Sequence, residues 1–147
     1  MRIWLCLILA AGLAAGAGKV AAVNQGSKGV AIRGYDAVGY FTDAQPVKGN
    51  PKFSFSWGGA LWQFSSAEHL DAFRQDPNKY APQYGGYCAW AVGHGYTAGA
   101  DPTVWTIRNG KLYLNYNQDV QKKWSGDIPG WIAKGDANWP KILQEKK

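Results

Sequence analysis

Apolar and polar residues alternate at two places in this chain, each time on both sides of a short turn-forming pair. Phe53, Phe55 and Trp57 are spaced by Ser54 and Ser56, Gly58-Gly59 follows, and Trp62 and Phe64 are then spaced by Gln63 and Ser65. Period-two patterning across two glycines predicts an antiparallel hairpin with one face turned inward. The second instance is clearer. Trp105 and Ile107 lead into Asn109-Gly110, the type I′ turn pair, and Leu112 and Leu114 then alternate with Tyr113 and Asn115.

Helical signals separate and follow the hairpins. Ser65-x-x-Glu68 reads as a capping box and predicts a helix over 66–75, with Leu70 and Phe73 facing inward and Asp76-Pro77 ending it. A second helix is predicted over 82–93, with Pro82 in its first turn and Gly93 and Gly95 as stops. Its Gly85-Gly86 pair weakens it but lets another backbone, or a ligand, come close. Asn117 is placed to cap a helix to Trp124, closed by Gly126. A last helical stretch, broken near Gly135, carries Trp131, Ile132, Trp139, Ile142 and Leu143. The order hairpin, helix, helix, hairpin, helices is α+β: small antiparallel hairpins packed with several short helices, not alternating βαβ.

The first 22 residues change the picture. Arg2 precedes the apolar run Ile3–Leu9, small residues continue to Ala17, and small residues occupy −3 and −1 before cuts after Ala17 or after Ala22. That is the pattern of a cleavable signal peptide, so the expected location is periplasmic or secreted, with no stable membrane span after cleavage. The expected division is signal peptide over 1–22, linker over 23–33, one domain over 34–143 and a basic tail over 144–147. The net charge of +6 is spread among acids rather than gathered in a stripe, which argues against a nucleic-acid partner. Of the two cysteines, Cys6 leaves with the signal, so Cys88 is unpaired in an oxidising compartment.

Three stretches carry a family resemblance. Trp62-Gln63-Phe64-Ser65-Ser66-Ala67-Glu68-His69-Leu70-Asp71-Ala72-Phe73, followed by Asp76-Pro77-x-Lys79-Tyr80, resembles the YHS domain, as does the opening Gly34-Tyr35-Asp36-Ala37-Val38. Together with Tyr80-Ala81-Pro82-Gln83-Tyr84-Gly85-Gly86-Tyr87-Cys88-Ala89 and Leu112-Tyr113-Leu114-Asn115-Tyr116-Asn117, the chain is similar to the bacterial exported YHS domain-containing (seleno)proteins. The resemblance implies a treble-clef-like core with a C-terminal helical extension. It also implies a metal-binding ancestry with cysteine ligands, at positions where this chain has Gly39, Ser65 and His69. A four-ligand zinc site of the usual form is therefore not expected.

The remaining candidates for chemistry centre on Cys88. Its thiolate can serve as a redox nucleophile or a soft-metal ligand, and Cys88, His69 and His94 make a candidate set for copper or zinc. Tyr35, Asp36, Tyr40, Tyr87 and Trp105 are candidate ligand-lining side chains, and Trp62, Trp105, Tyr113 and Tyr116 a candidate aromatic floor. Each has a plainer alternative: Cys88 packed as a small apolar residue, Asp36 bonding its own turn, His69 on an exposed helix face, His94 in a solvent loop, the aromatics as core. The chain lacks Gly-x-Ser-x-Gly, Cys-x-x-Cys, His-Glu-x-x-His and a phosphate-binding glycine loop. The expectation is an exported small binding domain holding a soft metal ion or small ligand near Cys88. The alternatives are a thiol-dependent redox protein and a non-catalytic domain that supports an envelope protein partner.

Overall fold

The computed structural model describes residues 20–145; the predicted signal sequence lies almost wholly outside them. Among the described residues the fold is α+β, with six α-helices and two separate two-stranded antiparallel sheets. In chain order these are α1 (Gly39–Thr42), β1 (Asn50–Trp57), β2 (Ala60–Phe64), α2 (Ala67–Gln75), α3 (Pro77–Tyr80), α4 (Ala89–Gly93), β3 (Asp101–Arg108), β4 (Lys111–Asn115), α5 (Gln118–Ser125) and α6 (Ile128–Gln144). No helix among them is long and apolar enough to cross a membrane.

Both hairpins form where the alternation predicts them. Phe55 pairs with Trp62 and Trp57 with Ala60 in the first; Trp105 pairs with Leu114 and Ile107 with Leu112 in the second. Asn109 and Gly110 both take positive φ, 52° and 72°, as a type I′ turn requires. The buried face of β2 meets α2 through Phe73, which is fully buried. Its ring lies 4.9 Å from Trp62, 5.0 Å from Phe64 and 5.7 Å from Trp57.

Strand β4 divides the interior. Successive side chains of a strand point to opposite faces. Leu112 and Leu114 enter a core built from the first hairpin, α1, α2 and the N-terminal segment, while Tyr113 enters a second core with Tyr84, Ala89, Val92, Trp124 and Ile142. Being walled on both sides, β4 is buried at every position from Leu112 to Asn115.

Four expectations are revised. Residues 23–33 are not a loose linker: Val23, Ala31 and Ile32 are buried, and Val30 bridges to Leu61 beside β2. Their short apolar side chains, scattered among small polar residues, gave no periodic signal. The predicted helix over 82–93 is instead a 3-10 turn over Gln83–Gly86 followed by the five-residue α4, because Tyr84, Gly85 and Gly86 all adopt positive φ. Helix α2 is capped by Ser66, whose Oγ accepts from His69 N at 3.1 Å, and not by Ser65. Helix α6 runs unbroken through Gly135. That glycine makes room for a neighbour: a Cβ there would overlap the phenol of Tyr84.

Candidate functional site

Asp36 is fully buried and gathers three segments of chain. Its Oδ1 accepts from the backbone of Val38 and Gly39 at 2.9 and 3.1 Å. Its Oδ2 accepts from Ser65 N at 2.9 Å, Ser65 Oγ at 2.7 Å and His69 Nδ1 at 2.6 Å. The carboxylate thus caps the start of α1 and pins the β2–α2 junction to it, combining the turn role with a charge-assisted bond to His69. The other ring nitrogen, Nε2, lies 3.2 Å from Thr42 Oγ1. Asp43 Oδ1 lies 4.0 Å away on the same side.

Gly39, Ser65 and His69, the positions at which the family resemblance implies metal ligands, therefore meet around a carboxylate. They do not fit a structural metal. Gly39 has no side-chain donor, Ser65 Oγ and His69 Nδ1 are committed to Asp36, and among the described residues no three His, Cys, Asp or Glu side chains are grouped to hold an ion.

Cys88 stands elsewhere. It precedes α4, bridges to Leu114 and is buried, with 1% of its surface exposed. Its Sγ donates to Asn115 Oδ1 at 3.5 Å, and the same oxygen accepts from Trp90 N at 3.0 Å. A reactive thiolate is served by a cation or an N–H donor at sulfur and by access; here sulfur is the donor and is covered. His94 lies beyond the end of α4, exposed, with Nδ1 bonded to Trp90 O at 2.7 Å and its ring stacked on Trp131 at 4.6 Å. Cys88, His69 and His94 are not brought together.

The predicted ligand-lining aromatics are mostly core. Tyr40 is buried, donates to Pro102 O at 2.6 Å and packs on Trp105 at 5.6 Å; burial holds its phenol pKa above the usual range. Tyr35 and Trp105 are half-buried against the same cluster. Of the aromatic floor, Tyr113 is buried and Tyr116 exposed, and Trp62 lines a cavity.

That cavity lies at the seam of the two cores. It is a cleft of about 540 Å³ with walls of Trp57, Trp62, Tyr84, Trp139 and Pro140, and with Lys111 and Asp136 among its polar groups. Such a volume is within the ordinary range for small-molecule sites. Tyr84 is the unusual member: it holds φ 59° and ψ 32°, a left-handed conformation costly for a bulky side chain, on the order of 1 kcal/mol or more. Its surroundings enforce that conformation. Tyr84 Oη donates to Asp136 Oδ1 at 2.9 Å, its ring lies 5.9 Å from Tyr113 and 6.1 Å from Trp139, and Gly85 and Gly86 continue the left-handed turn. Burial, and after it the bond to Asp136, raises the Tyr84 pKa well above that of free tyrosine. Proline has no N–H, so Pro140 cannot donate to the Asp136 carbonyl one turn earlier in α6.

The comparisons fall on one side of this seam. Residues 38–84 match the YHS domain family. The YHS segment thus runs from α1 through both strands of the first hairpin and α2 to Tyr84, and so contributes Trp57, Trp62 and Tyr84 to the cleft; Asp136, Trp139 and Pro140 come from α6, outside it. Asp36 lies just upstream of the matched segment, whereas its partners Ser65 and His69 lie within it. No curated protein and no solved structure matches the chain.

Sequence patterning missed Tyr84, Asp136, Trp139 and Lys111 as site residues. The usable signals were the Gly85-Gly86 pair after Tyr84, and the unusual combination of Gly135 and Pro140 inside one amphipathic helix.

Proposed function

We propose that this chain is an exported small binding domain of the YHS type. It takes a small organic ligand with a flat face and a polar edge into the cleft between the YHS segment and α6. The observation that carries this is Tyr84, a bulky residue held in a left-handed turn at the wall of the cleft lined by Trp57, Trp62 and Trp139. Strain of this kind survives where the surroundings over-determine it, and such places cluster at ligand sites. Indole and phenol faces supply the apolar contact; Asp136 accepts and Lys111 donates, so the ligand's edge carries both a donor and an acceptor. The signal-like N-terminus supports export.

The binding centre therefore moves from Cys88, where the sequence placed it, to the Tyr84–Asp136 cleft. Thiol chemistry is poorly supported by a covered sulfur that donates its only hydrogen bond. Isothermal titration with one- and two-ring organic compounds tests the proposal. Binding in the micromolar range that weakens at least tenfold in Asp136→Ala is expected. The absence of binding across such a panel, or equal binding by the variant, contradicts it.

A further inference from the structure

The sequence allows two cuts for the signal peptide, after Ala17 or after Ala22, and the packing of residues 21–24 discriminates between them. Asn24 N donates to Gly85 O at 2.8 Å, and Tyr87 Oη donates to Ala21 O at 3.0 Å. The Ala22 carbonyl sits so close over Gly85 that a Cβ at Gly85 would collide with it, and Val23 is 3% exposed and packs against Gly58. Ala22 and Val23 also form part of the cleft wall beside Tyr84 and Gly85. The backbone that the Gly85-Gly86 pair admits is thus the chain's own N-terminal segment.

We infer that Ala21–Asn24 are a built part of the domain and that processing takes place after Ala17. The inference rests on the export reading above. In the step itself, water adds across the Ala17–Gly18 peptide bond under an exporting peptidase, leaving a carboxylate on Ala17 and an amine on Gly18. The site has small residues at −3 and −1, Ala15 and Ala17. A cut after Ala22 satisfies the same rule. It would remove the acceptor of Tyr87 and the carbonyl over Gly85, and would set a charged terminus on the buried Val23, where an ammonium group is poorly solvated. The folded domain therefore keeps the longer form.

Two measurements decide it. The intact mass of the exported chain is expected to correspond to a start at Gly18; a start at Val23 overturns the inference while leaving export standing. A full-length chain retained in the cytoplasm overturns both. Separately, chains prepared to begin at Gly18 and at Val23 are compared by thermal unfolding. The shorter form is expected to melt lower by about 4 °C or more, and equal melting temperatures overturn the claim that the segment is built into the fold.

Discussion

His69 Nδ1 lies 2.6 Å from Asp36 Oδ2, and this single contact ties α2 to the turn that opens α1 across more than thirty residues of chain. It is the most buried ionisable contact among the described residues, with the carboxylate wholly covered and the His69 side chain 18% exposed. Five donors converge on Asp36, so removing its charge leaves several of them without a good acceptor.

Asp36→Asn is expected to destabilise the fold by about 3 kcal/mol, since an amide cannot accept from five donors and puts its own N–H₂ against them. Urea unfolding is the check, with a lowered midpoint and an unchanged slope. His69→Ala, which removes one donor from the rim of the same centre, is expected to cost less, about 1–2 kcal/mol. Because these donors are committed to the Asp36 carboxylate and not to an ion's ligands, excess chelator should leave the unfolding midpoint of the wild-type protein where it was.

Much of this was legible in the sequence, for a local reason. Hairpins and the α2 and α5 helices are encoded by patterns within ten or so residues: Phe53 to Phe64, Asn109-Gly110, and Asn117, which caps α5 by accepting from Val120 N at 2.9 Å. What was not legible depends on partners far along the chain. Asp36 finds Ser65 and His69, Tyr84 finds Asp136, and Gly85 finds Ala22. Cys88 looked chemical because it was alone, but its surroundings come from Asn115 on β4 and from Ala98, which accepts from its N–H. Ser65 looked like a cap because of Glu68, yet the nearby carboxylate took its hydroxyl and Ser66 capped instead.

Cys88 is expected to resist alkylation in the folded state. The rate with a thiol reagent at pH 8 should rise steeply only through the unfolding transition, because the sulfur is 1% exposed. A folded protein that reacts at the rate of a free thiol would restore the redox alternative. Cys88→Ala should cost about 1 kcal/mol, the loss of one small buried group.

Gly135→Ala sets two effects against each other. Alanine improves helix propensity by about 1 kcal/mol, but its methyl would overlap the Tyr84 phenol, which is buried and bonded to Asp136. Overpacking against a ring that cannot yield costs about 1–3 kcal/mol, so a net loss of stability is expected in urea or thermal unfolding. A gain would mean that Tyr84 moves freely.

Alkali should weaken the fold. Burial raises the pKa of Tyr40, Tyr84, Tyr87 and Tyr113 above that of free tyrosine, and Asp136 adds to the effect on Tyr84. A raised folded-state pKa means the neutral phenol is favoured by folding. That stability is complete below the unfolded value near pH 10 and is lost as pH rises through the folded values. Absorbance at 295 nm should show these phenols ionising later than free tyrosine and together with unfolding. The unfolding midpoint in urea should fall as pH rises above about 10, and less steeply in Tyr84→Phe.

Ligand entry into the cleft between the YHS segment and α6 is tested most plainly by nuclear magnetic resonance mapping on isotope-labelled protein titrated with one- and two-ring organic compounds. Compounds that bind are expected to shift the indole N–H signals of Trp57 and Trp139 and the backbone signals of Tyr84, Gly85 and Asp136, with saturation, and Asp136→Ala is expected to raise the saturating concentration at least tenfold. Saturable shifts confined to the surroundings of Cys88 or His69, with the cleft signals unmoved, would contradict it.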